Sequence, residues 1–96
     1  MAWMPDLMVS LGGRTRRLAD CFWVLCNADG CAEASQLGRC AVDEEQAHKR
    51  FTPRQRDRDR EIRHGYRVEI VDREQWRRDA EPCFLGRCEH RKGGAA

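Results

Sequence analysis

The sequence predicts a small α+β domain with a short antiparallel sheet and two or three helices. Two segments, 18–26 and 66–71, have the length and the aromatic and β-branched content of strands. Between them, Asp43 and the pair Thr52-Pro53 are typical of helix starts. The chain has 96 residues, 41% hydrophobic and 35% charged, so it can build only a small core. We therefore expect a covalent or metal staple to supplement the packing.

The chain divides into three parts by composition. Residues 1–13 are predicted to form an irregular apolar arm, because Pro5 and the pair Gly12-Gly13 interrupt regular structure. The arm either packs over the core or inserts into a partner subunit. Residues 14–90 form a single domain, and the polar, glycine-rich segment 91–96 is predicted to be disordered.

Successive side chains of the first predicted strand, 18–26, point to opposite faces. One face carries Phe22, Val24 and Cys26, and the other carries Cys21, Trp23 and Leu25. The segment 27–30 that follows is rich in turn residues.

Capping residues predict the remaining elements in order. Residues 37–42 are expected to form a second, shorter strand. Asp43 is predicted to cap a helix that ends near Arg50, and a second helix begins at Thr52-Pro53 and stops at Gly65.

After the 66–71 strand, Asp72 and Gln75 form a loose capping box for a short helix that carries Trp76. Pro82 is predicted to end this helix.

Two cysteine loops, 26–31 and 83–88, each hold two thiols separated by four residues that include a glycine. Zinc takes four tetrahedral ligands, and a closely spaced pair on a tight turn supplies two of them. The sequence therefore predicts one zinc site, which would contribute on the order of 10 kcal/mol to folding. Its predicted ligands are Cys26, Cys31, Cys83 and Cys88.

Other cysteine chemistries remain open. His90 could replace one of the last two cysteines, and Cys21 or Cys40 one of the first two. The even number of cysteines also allows a disulfide framework. An iron–sulfur cluster is a further alternative, although the spacing fits neither common ferredoxin pattern. Over the two loops alone, the chain resembles the zinc-ribbon or zinc-knuckle class, and that resemblance implies a binding module more often than an enzyme.

A second candidate site is a row of arginines. Arg56, Arg60 and Arg63 lie at helical spacing, and Arg67 follows. Guanidinium groups suit phosphate, so these residues form a predicted nucleic-acid-binding face. The interleaved acids Asp57 and Glu61 favour the alternative of a solvated helix with internal ion pairs.

From these features we expect a non-enzymatic, zinc-binding accessory or regulatory factor that associates with nucleic acid. The alternative is a small interaction subunit of a larger protein assembly, with or without a disulfide staple, that uses the apolar arm. The histidines lie among charged residues in no catalytic pattern, so neither enzyme activity nor a small-molecule substrate is expected. The longest apolar run, 21–26, is too short to cross a membrane. With no recognisable secretory signal, a cytoplasmic location with reduced thiols is the expectation.

Overall fold

The computed structural model describes residues 7–91. Its α+β architecture confirms the predicted fold class. Five strands form two antiparallel sheets: β1 Met8–Leu11, β2 Arg14–Arg17, β3 Phe22–Cys26, β4 Ala32–Leu37 and β5 Arg67–Val71. The helices are α1 Glu44–Phe51, α2 Gln55–Arg63, α3 Arg73–Gln75 and α4 Glu81–Phe84, with a π-helical turn, Trp76–Ala80, joining α3 to α4.

The prediction of an irregular arm is wrong for residues 8–11, which form strand β1. Gly12 and Gly13 have φ of 57° and 82°, a conformation that glycine adopts without steric cost. They allow β1 to turn and pair with β2. Leu7 and Val9 pack against a core cluster, so this part of the arm is anchored to the domain. Residues 1–6 lie outside the described residues, as do residues 92–96 of the predicted disordered tail.

Strand β3 is the centre of the larger sheet, whose order is β4–β3–β5. Val24 and Cys26 belong to one core cluster and Trp23 to another, on the opposite face. The predicted parity is thus confirmed. The strand is shorter than predicted, because Leu18–Asp20 forms a 3₁₀ turn before it.

The second strand lies earlier than predicted. Residues 32–37 form it, and Gly38–Cys40 is a 3₁₀ turn. The strand ends at Leu37 because the backbone at Gly38 passes very close to that of Leu18. A Cβ at Gly38 would overlap the carbonyl oxygen of Leu18. The indole nitrogen of Trp23 then donates to the carbonyl oxygens of Gly38, at 3.0 Å, and Ala41, at 3.1 Å. These long-range contacts fix the turn.

Local capping is confirmed at α1 but not at α2. The Asp43 carboxylate accepts from the amide of Gln46 at 2.8 Å. Thr52, the predicted cap of α2, instead donates its hydroxyl to Glu61 at 2.8 Å, and α2 begins at Gln55. Gly65 follows the end of α2 with φ of 84°, as predicted.

The last helical region continues past Pro82. Asp72 caps it by accepting from the amide of Gln75 at 2.8 Å, which confirms that prediction. Pro82 does not end the helix, because it occupies the first turn of α4, where a missing N–H is tolerated. The Trp76 ring lies 5.3 Å from Phe22 and 6.1 Å from Phe84, centroid to centroid, which fastens this region to the sheet.

Within residues 7–91, no helix has the length and apolar character needed to span a membrane.

Candidate metal centre

Four metal-ligating side chains converge between the larger sheet and the C-terminal segment. They come from Cys31, Cys83, Cys88 and His90, and one ligand atom from each lies within 4.8 Å of all the others. A metal ion could be held by this group. Three of the four residues are predicted ligands, and His90 takes the remaining position.

Cys31 is positioned by the turn between β3 and β4. The side-chain oxygen of Asn27 accepts from the amides of Asp29, at 2.9 Å, and Cys31, at 3.1 Å. Gly30 closes the turn with φ of 85°. A Cβ there would lie 3.5 Å from Nε2 of His90, so the turn and the histidine ring are neighbours.

The other three ligands come from one continuous segment. Cys83 belongs to α4 and is fully buried. The chain then turns at Gly86, with φ of 73°, and the amide of Arg87 donates to the carbonyl of Pro82 at 2.7 Å. This turn brings Cys88 back toward Cys83. A 3₁₀ turn at Glu89–Arg91 then presents the His90 ring.

Two of the six distances between the ligand atoms match the edges of a zinc tetrahedron, and all six are within 4.8 Å. The Sγ atoms of Cys31 and Cys88 are 3.7 Å apart, and Sγ of Cys83 is 3.4 Å from Nδ1 of His90. Zinc–sulfur bonds of about 2.3 Å and zinc–nitrogen bonds of about 2.0 Å imply S–S edges of about 3.8 Å and S–N edges of about 3.6 Å. A disulfide would need about 2.05 Å, so Cys31 and Cys88 are not bonded to each other.

The three cysteines of this group are buried, which favours their neutral thiols when no cation is bound. Cys31, Cys83 and Cys88 are all less than 9% exposed. Burial raises the pKa of the Cys83 thiol to about 11, although a hydrogen bond from the Ala32 backbone lowers it in part. A bound cation would stabilise the thiolate that burial disfavours, so metal binding here releases protons.

Cys26, the fourth ligand predicted from the sequence, is not in the group of four. It lies on the central strand, paired with both β4 and β5, whereas the four grouped residues come from a turn, α4 and the segment after it. Its thiol is buried in the same apolar cluster as the other three cysteines. Burial, followed by the charge of Glu69, raises the pKa of Cys26 to about 11.

The sequence held a signal for His90, which follows Cys88 by two residues. That spacing identified the histidine as a substitute for a nearby cysteine. It did not indicate that the histidine would stand beside both Cys83 and Cys88.

Cys21 and Cys40 are also outside the group of four. The thiol of Cys21 is 1% exposed and donates to the carbonyl of Arg17 at 3.4 Å. Cys40 is half-buried in its 3₁₀ turn. Both carry free thiols, as do Cys26, Cys31 and Cys83.

The predicted arginine face is exposed but partly neutralised. Arg60 pairs with Asp57 at 2.9 Å, and Arg67 pairs with Glu69 at 3.4 Å. Arg56 and Arg63 are exposed on α2, and no carboxylate among residues 7–91 lies in ion-pair range of either.

A groove of about 660 Å³ separates α1, α2 and β5. Arg67 lines it together with Lys49 and Arg58, but so do acidic side chains. These acids are Glu44, Glu45, Asp59 and Glu69. The groove therefore mixes charges of both signs.

Comparison with protein-family models, curated proteins and solved structures gives no significant match for this chain.

Proposed function

We propose that this chain is a small, non-enzymatic binding module held together by a structural zinc ion. The ligands are Cys31, Cys83, Cys88 and His90. The observation that carries the proposal is the agreement of the 3.7 Å and 3.4 Å separations with the edges of a zinc tetrahedron.

The donor set supports zinc over other ions. Three sulfur atoms and one imidazole nitrogen are soft and borderline donors, whereas magnesium and calcium require oxygen. Four protein ligands close a tetrahedral site and leave no position for a reactive water, which is the pattern of structural zinc. A structural role agrees with a non-enzymatic protein.

The ion would join parts of the chain that are far apart in sequence. Cys31 is separated from Cys88 by 57 positions in sequence, and the cluster around them contains few large side chains. Zinc would therefore fasten the C-terminal segment to the turn between β3 and β4.

The direct test is metal analysis of the purified protein together with counting of reactive thiols. We expect zinc in the unmodified chain and its loss from His90→Ala and Cys31→Ser. Cys40→Ser is the control that keeps zinc. Cys26→Ser separates the two ligand sets: zinc retained in Cys26→Ser supports the Cys₃His site, whereas zinc lost from Cys26→Ser and retained in His90→Ala would point to four thiolates.

For the partner, we propose nucleic acid, contacted through Arg56, Arg60, Arg63 and Arg67. Arg56 and Arg63 are exposed and form no ion pair with a carboxylate of residues 7–91. This favours the role, since such guanidinium groups can neutralise phosphate. Replacing all four arginines by glutamine should abolish a mobility shift that weakens as salt rises. A mobility shift that is unchanged by the substitutions, or insensitive to salt, would contradict nucleic acid as the partner.

A second candidate is an interaction subunit of a protein assembly. Strand β1 favours it, because Met8 is 54% exposed while Val9 on the other face packs inward. Met8→Glu should then release the chain from its complex without unfolding it. Co-purification unchanged by Met8→Glu would exclude this surface.

A further inference from the structure

The cluster of four ligands is open to the surface on one side. A groove of about 350 Å³ reaches it, and Cys88 and His90 are among its lining residues. Arg78 and Arg87 also line the groove, whereas Cys31 and Cys83 do not. Cys88, which is 6% exposed, is thus the cysteine of the cluster that borders this groove.

Cys31 is positioned to react next. Its Sγ atom is 3.7 Å from that of Cys88, so an approach of about 1.7 Å would bring the pair to disulfide bonding distance. The sulfur of Cys83 also lies within 4.8 Å of both sulfurs, but it is in addition 3.6 Å from the carbonyl oxygen of Asp79 and 3.4 Å from Nδ1 of His90. The arrangement thus contains a cysteine at the edge of the groove with a second sulfur 3.7 Å from its own.

We propose that the zinc site is also a peroxide-sensitive switch, in which Cys88 is oxidised first and Cys31 closes a disulfide with it. This inference rests on the proposed zinc site. The thiolate of Cys88 attacks one oxygen of hydrogen peroxide, the O–O bond breaks, and a sulfenic acid and hydroxide form. The thiolate of Cys31 then attacks the sulfenic sulfur, the S–S bond forms, and the S–O bond breaks to release a second hydroxide. The two thiolates lose two electrons, and peroxide gains them.

The ion then loses two of its four ligands and dissociates. The new disulfide keeps the β3–β4 turn attached to the segment after α4. Cys83 and His90 are released, so the Glu89–Arg91 turn loses its anchor while the rest of the domain stays folded. Oxidation therefore changes the surface near His90 without unfolding the protein.

The experiment treats the zinc-loaded chain with hydrogen peroxide. A chromogenic chelator follows zinc release, and mass spectrometry after alkylation maps the disulfide. We expect zinc release in step with a Cys31–Cys88 disulfide, and recovery of binding after thiol reduction and added zinc. Retained zinc, or release accompanied by a Cys83–Cys88 or Cys26–Cys31 disulfide, would overturn the switch.

A control variant and chemical trapping of the sulfenic acid test which cysteine is oxidised first. Cys40→Ser should behave as the unmodified chain. With dimedone present during a brief peroxide treatment of the zinc-loaded, unmodified chain, the adduct should form on Cys88; an adduct on Cys83 instead would contradict the order of attack. A protein that binds no zinc before peroxide is added fails the proposed function, whereas a zinc-bound protein without the mapped disulfide fails this inference alone.

Discussion

His48 and Glu61 connect α1 to α2 through a hydrogen bond of 2.7 Å between Nε2 and Oε1. The same carboxylate oxygen accepts from the hydroxyl of Thr52 at 2.8 Å. His48 is only 9% exposed, so its ring depends on this partner. One acidic side chain therefore satisfies two polar groups at the junction of the helices.

Replacing Glu61 by alanine should lower the free energy of unfolding by about 1–3 kcal/mol, because a buried polar group loses its partner. Chemical denaturation measures this loss. Glu45→Ala is the matched control: Glu45 pairs with Lys49 on the surface, at 80% side-chain exposure, and an exposed pair of this kind contributes little. Equal effects of the two substitutions would contradict the linking role of Glu61.

Gly38→Ala should destabilise the fold by about 1–3 kcal/mol, the range for overpacking. The new Cβ meets the backbone of Leu18 and Cys21, and the displaced carbonyl of Gly38 would weaken its bond to the Trp23 indole. Denaturation followed by tryptophan fluorescence reports both effects.

Gly86→Ala serves as the control for Gly38→Ala. Its Cβ would meet nothing among residues 7–91 within 4 Å, although φ is 73°, so only the backbone cost of about 1–2 kcal/mol applies. Its thermal stability in the metal-free state should therefore fall less than that of metal-free Gly38→Ala. The reverse order would argue against the close crossing at Gly38.

Removing the metal with a chelator should loosen the C-terminal segment first. Amide hydrogen exchange should accelerate over residues 83–91 and around Cys31, since the ion joins these two regions. The α1–α2 pair should change least, because the His48–Glu61 contact does not involve the metal site. Uniform acceleration across residues 7–91 would instead indicate that the whole domain folds only with metal.

Local signals in the sequence predicted the features that depend on neighbouring residues. Asp43 and Asp72 are correct caps because a cap acts within its own first turn. The faces of β3 follow from the alternation of its own side chains. Gly65 ends α2 for an equally local reason.

The predictions that are wrong concern features that depend on contacts between residues far apart in sequence. The local residue pattern predicts β4 too late in the chain, because the Gly38 turn depends on Leu18 and Trp23, which are distant in sequence. Thr52 does not cap α2, because its hydroxyl donates instead to Glu61, nine positions later. The assignment of His90 beside Cys83 required the turn at Gly86, whereas spacing alone suggested two equivalent cysteine pairs.

X-ray absorption at the zinc edge tests the central claim most directly, because it counts sulfur and nitrogen ligands around the ion. The account predicts three sulfur atoms at about 2.3 Å and one nitrogen at about 2.0 Å. In Cys26→Ser the spectrum should stay unchanged, whereas His90→Ala should retain no zinc. A shell of four sulfur atoms in the unmodified protein would contradict it.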